Sequence, residues 1–68
     1  LTLEEMGEWA QAIRNSRKIL GFGETRPHEL SDFFLSQVNE QIALAYSKLG
    51  KPHVGESFKK RAQLLAPS

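Results

Sequence analysis

Two short breaks, at Gly21-Phe22-Gly23 and at Leu49-Gly50-Lys51-Pro52, cut an otherwise helix-periodic chain into three stretches, and this pattern constrains the fold more than any other feature. In the first stretch Leu3, Met6, Ala10, Ile13 and Leu20 recur on one helical face, with Trp9 alongside. Thr2-Leu3-Glu4-Glu5 has the form of a capping box, in which the threonine hydroxyl and the third-position glutamate satisfy each other's free amides. Gly21 is a natural left-handed stop, so a helix is expected over residues 3–20. Pro27 suits a first helical position, where its missing N–H is unpaired anyway, and predicts a second helix over 27–49. That helix carries one stripe of Leu30, Phe33, Phe34, Val38, Ile42, Ala45 and Leu49 and another of Leu35, Leu44 and Tyr46. A helix apolar on two sides belongs in the middle, against both neighbours. The third helix, 52–65, has Val54, Phe58, Ala62 and Leu65 on one face and ends at Ala66-Pro67-Ser68. The break before it is short enough to make the last two helices an antiparallel hairpin. No alternating β-branched run is present. The expectation is therefore all-α: one domain over residues 1–68, a small three-helix bundle with a C-terminal antiparallel hairpin.

A chain of 68 residues buries only about 60% of its unfolded surface, so its core is marginal. There is no cysteine, which excludes disulfides and thiolate metal sites, and two histidines cannot close a structural zinc site. Either the helices pack very well or the domain leans on a partner, a second copy, or the remainder of a longer protein. The start at Leu1 reads as a domain taken from a longer protein or as a processed chain. Nine Lys and Arg against eight Asp and Glu argue against a dedicated nucleic-acid binder. No apolar run is long enough for a membrane span. The absence of cysteine suits a reducing, intracellular setting. Acidic residues precede basic ones in each stretch, as the helix dipole favours: Glu4, Glu5 and Glu8 before Arg14, Arg17 and Lys18; Glu29 and Asp32 before Lys48; Glu56 before Lys59, Lys60 and Arg61.

Catalytic constellations are missing. There is no Gly-x-Ser-x-Gly, no His-Glu-x-x-His and no phosphate-cradling loop, and Gly21-Phe22-Gly23 lacks the strand and third glycine of a dinucleotide loop. No catalytic residue, metal or cofactor is expected. Arg26-Pro27-His28 with Phe33 and Lys51-Pro52-His53 with Phe58 repeat the same block 25 positions apart. Two similar helix starts explain it, each with proline fixing φ and phenylalanine as the first core anchor; a histidine pair for metal or pH sensing is the rival. Arg14, Arg17, Lys18, Lys59 and Lys60 read as solvated helix ends, or as contacts to phosphate or an acidic partner. Trp9 lies beside the core stripe, as a core residue or as an interface anchor of the kind tryptophan often supplies.

Ala45-Tyr46-Ser47-Lys48-Leu49-Gly50, followed by Gly55, Ala62 and Pro67, resembles one tetratricopeptide repeat over roughly residues 39–67. Ile42-Ala43 stands where that family places its Leu-Gly pair, while Asn39 and Lys59 replace its tryptophan and its second-helix aromatic. The resemblance implies a helical hairpin that recognises peptides or packs in an assembly. The chain is also similar to three-helix bundles of the microtubule-interacting-and-trafficking type, which implies a partner helix bound in an inter-helix groove. The amphipathic pattern leads to the same expectation independently, since grooves between small helices accept the apolar face of a partner helix. The candidate contacts are Trp9, Leu35, Leu44 and Tyr46, with the second helix as floor. The alternatives are a DNA-binding helix-turn-helix, with Arg14-x-x-Arg17-Lys18 before a turn at Leu20-Gly21 and a helix opening at Glu29-Leu30, and a self-association or docking domain.

Overall fold

The computed structural model describes residues 1–66 and contains three helices, α1 (Leu3–Thr25), α2 (Asp32–Lys48) and α3 (Pro52–Leu65), with no strand among the described residues. Helix α2 is the middle element. It packs on α1 along one side and more extensively on α3 along the other, while no Cα atom of α1 comes within 8 Å of α3. The result is an open three-helix bundle of 38 × 22 × 14 Å. Ile42 is fully buried at its centre, with Ile13, Val38, Ala45 and Ala62 around it.

The hairpin follows from its turn. Gly50 adopts φ +77°, its N–H donates to the Ser47 carbonyl at 3.0 Å, and the Lys51 N–H donates to the Tyr46 carbonyl at 2.8 Å. These two bonds form a Schellman motif, which requires the left-handed conformation that glycine adopts without a steric penalty. Pro52 then takes the first position of α3, as its fixed φ favours. Along the hairpin the helices approach closely at Gly55, where a Cβ would stand 3.0 Å from both the Cα and the carbonyl oxygen of Ala43. Near the other end the buried Ser36 hydroxyl donates to the Ala62 carbonyl at 2.8 Å, tying the start of α2 to the end of α3. Ala62 is buried there; Pro67 lies outside the described residues.

Helix α1 does not stop at Gly21. It runs through Gly21-Phe22-Gly23 to Thr25. Glycine inside a helix costs about 1 kcal/mol relative to alanine, but Gly23 is buried where a Cβ would meet the ends of Leu30 and Leu35 at 3.1 and 3.4 Å. Continuing the helix to that close approach outweighs the local stop. Pro27 ends α1 instead of beginning α2: Arg26, restricted by the following proline, leaves the helical region at φ −135°, ψ 66°. The second helix begins only at Asp32, where the Ser31 hydroxyl accepts from the Phe34 N–H at 3.1 Å. Pro27-His28 is therefore a turn while Pro52-His53 is a helix start, and the two blocks are not structurally equivalent. Their phenylalanines differ too: Phe33 is 58% exposed, whereas Phe58 is half-buried and stacks on Tyr46 with ring centroids 6.0 Å apart. The new boundaries also change the charge pattern. Only α2 carries an acid in its first turn, Asp32, and a base in its last, Lys48; α1 has Glu4 and Glu5 without a terminal base, and α3 has neither. The turn that a helix-turn-helix would need at Leu20-Gly21 is interior to α1, and Glu29-Leu30 precedes α2.

Candidate functional site

Because α1 and α3 both lie against α2 but not against each other, a groove opens between them with α2 as its floor. Leu20, Gly23 and Glu24 of α1, Leu35 and Asn39 of α2, and Arg61 and Leu65 of α3 line a cleft of about 180 Å³ there. About one turn along, α1 and α3 are bridged by side chains alone. The Arg17 guanidinium lies 5.7 Å from the Phe58 ring centroid, and the Arg61 guanidinium lies 5.8 Å from the same centroid. Cation–π attraction accounts for the convergence of two like charges on one ring. Neither has a carboxylate within ion-pair distance; among the described residues the one ion pair is Arg26–Glu29, at 3.8 Å on the far turn.

Asn39 gives the floor an unusual polar feature. It is 3% exposed, and its Nδ2 donates to the Leu35 carbonyl at 2.8 Å, one turn back on the same helix. Its Oδ1 has no hydrogen-bond donor. A buried acceptor left unmatched costs about 1–3 kcal/mol.

Two other clefts flank α2. One, of about 300 Å³, lies on the outer side of the hairpin and presents Leu44 among Glu40, Ser47, Lys59 and Gln63. The other, of about 420 Å³, lies between α1 and α2 and is lined largely by polar residues, among them Ser16, Gln37, Glu40 and Gln41. Both are roomier than the α1/α3 groove. The latter alone brings three leucines from three different helices to one point, and apolar area is what drives docking.

The candidates from sequence divide between these surfaces. Leu35 lines the α1/α3 groove, and Tyr46 lies on the same face of α2, stacked on Phe58 beside it. Leu44 stands nine positions from Leu35, which at about 100° per residue is half a turn away, and it faces the outer cleft, 43% exposed. The four apolar candidates therefore do not form one surface. Trp9 is half-buried on α1. The basic candidates are also dispersed. Arg17 reaches the α1/α3 groove and Lys59 the outer cleft. Arg14 is occupied by Gln11, whose Oε1 accepts from Nη2 at 2.7 Å and Nε at 3.2 Å. Lys18 and Lys60 are exposed. Arg61 and Leu20 are groove residues absent from the sequence candidates. Arg61 stands about 200° around α3 from Lys59, which turns it from the outer cleft to the α1/α3 groove, and about 100° from Lys60.

No known family, characterised protein or solved structure matches this chain.

The histidines stand apart from the groove. His28 is in the α1–α2 connection and His53 in the first turn of α3, both exposed, and no group of three or more His, Asp or Glu among the described residues could hold a metal ion. Among the described residues no helix is long and apolar enough to cross a membrane.

Proposed function

We propose that this chain is a non-catalytic protein-interaction module and that its α1/α3 groove takes the apolar face of a partner helix or peptide. The observation that carries the reading is the convergence of Leu20, Leu35 and Leu65 on an open cleft, with two unpaired guanidiniums one turn away. Apolar anchors set in a groove with a charged rim are how small helical domains hold amphipathic ligands: the apolar part supplies affinity and the rim supplies register. The close approach of Gly55 to Ala43 and the buried Ala62 support treating the hairpin as tetratricopeptide-like, a unit that packs among further helices.

The test is to pan a displayed library of amphipathic helical peptides on the 68-residue chain and measure selected peptides against Leu65→Ala and Leu44→Ala. Both substitutions lie on helix faces that are not fully buried, so circular dichroism should show the fold intact. Binding lost in Leu65→Ala and kept in Leu44→Ala supports the α1/α3 groove. The reverse pattern moves the site to the outer cleft, and a library yielding no binder refutes the module reading.

A further inference from the structure

Helix α2 contributes two residues to the α1/α3 cleft, Leu35 and Asn39, and the second of them is polar where the first is apolar. The Asn39 Nδ2 turns back along the helix to the Leu35 carbonyl. A carbonyl oxygen accepts and cannot donate, which fixes the orientation of the amide and leaves Oδ1 as the open arm, directed away from its own backbone. Ser36, the other buried polar residue, is satisfied: its hydroxyl donates to the Ala62 carbonyl. Among the described residues Asn39 Oδ1 is the one buried side-chain atom without a hydrogen-bond partner. In a core this small such an atom works against folding, and a leucine would occupy similar space without that penalty. The unmatched acceptor lies in the lining of an open groove, where a ligand can match it.

We infer that the partner of this groove is an acidic amphipathic helix that buries one uncharged hydrogen-bond donor, a hydroxyl or a carboxamide, against Asn39 Oδ1. The inference rests on the groove reading above and names what the groove selects. Each element of the partner answers a feature of the cleft. Leu20, Leu35 and Leu65 are only half-buried and call for apolar residues around the donor. The donor is a side chain because the backbone N–H groups of a helix are spent within it. It is uncharged because a cation taken out of water against a neutral amide loses more hydration than one hydrogen bond returns. Arg17 and Arg61 beside the cleft oppose a cation further, and with Glu24 as the one acid lining it the local excess is positive. That excess complements acidic residues at the edge of the partner. The donor reaches Oδ1 by parting the lining, and Arg61, exposed and held only over the Phe58 ring, is free to shift as interface side chains commonly do.

The test is a specificity swap. The displayed helical library is panned in parallel on the unaltered chain and on Asn39→Leu. Helices taken by the unaltered chain should be acidic and carry serine, threonine, asparagine or glutamine at one position of the apolar face; those taken by Asn39→Leu should carry leucine, isoleucine or valine there. A selected peptide is then compared by calorimetry with its apolar isostere, threonine changed to valine or asparagine to leucine. The unaltered chain should prefer the donor peptide by roughly tenfold, and Asn39→Leu should lose or invert that preference. Should Asn39→Leu fail to fold, the side-chain carboxamide resonances of Asn39 in the unaltered chain give the answer: they should move with the donor peptide and respond differently to its isostere. Equal affinity of the unaltered chain for both peptides, a preference that survives Asn39→Leu, a carboxamide that responds alike to both, or selected helices that are basic each overturn the inference. In those cases binding still lost in Leu65→Ala leaves the groove reading standing; a library with no binder removes both.

Discussion

Replacing Gly55 with alanine isolates the energy of the α2–α3 crossing, because the same substitution elsewhere in the chain supplies its own control. Gly7 is also inside a helix, and a Cβ there meets nothing within 4 Å. At Gly7 alanine brings only the helix-propensity gain, about 1 kcal/mol of stabilisation. At Gly55 the new Cβ stands 3.0 Å from the Cα and carbonyl oxygen of Ala43 and 3.3 Å from Tyr46 Cβ. Two of those neighbours are backbone, so relief requires the helices to separate. Overpacking of this kind costs about 1–3 kcal/mol. The propensity gain is common to both variants and largely cancels, so Gly55→Ala should be less stable than Gly7→Ala by about that amount. For a domain of this size each kcal/mol is about 4–8 °C in melting temperature, well within reach of thermal denaturation followed at 222 nm. Gly23→Ala belongs between them, because its contacts at 3.1 and 3.4 Å are with the flexible ends of Leu30 and Leu35. If Gly55→Ala melts with or above Gly7→Ala, the close crossing is not a feature of the folded chain.

Three further outcomes follow from named contacts. Gly50→Ala forces a side chain into the left-handed region at φ +77° and should lower stability by about 1–2 kcal/mol in urea denaturation. The Glu5 carboxyl is held below its ordinary value of 4.5 by the Thr2 backbone N–H first and the Thr2 side chain second. A depressed pKa means the capping contribution is present above 4.5 and is lost as pH falls through the folded value. Amide exchange in residues 3–8 should therefore quicken, relative to its intrinsic rate, only in acid below that point, and Glu5→Gln should remove the pH step. Asn39→Leu replaces a buried, unmatched acceptor with an apolar group of similar shape and should stabilise by about 1–3 kcal/mol; a lower urea midpoint would mean that Oδ1 finds a donor in solution.

The fold class, the bounds of α3 and the hairpin turn were legible because each rests on local chemistry. Gly50 and Pro52 act within a few residues, and helical periodicity reports the apolar faces directly. The end of α1 was not legible for the same reason in reverse. Gly21 and Pro27 are read locally as stop and start, but the packing of Gly23 on Leu30 and Leu35 extends the helix, and Pro27 then serves as its terminator. Ser31 was the overlooked signal, a cap-forming serine directly before Asp32-Phe33-Phe34. At the candidate site, α2 as the middle helix and Leu35 with Tyr46 on one face could be read from spacing. Leu44 could have been separated from them by the same arithmetic. The meeting of Arg17 and Arg61 over Phe58 could not, because it joins α1 to α3 across a gap that no sequence interval encodes.

Amide chemical-shift mapping of the isotopically labelled chain, titrated with a peptide selected from the amphipathic library, tests the groove most directly. The largest shifts are expected at Leu20, Leu35, Arg61 and Leu65, with Leu44, Ser47 and Gln63 unmoved. Shifts centred on Leu44 and Gln63 instead would contradict the groove reading and place the ligand on the outer side of the hairpin.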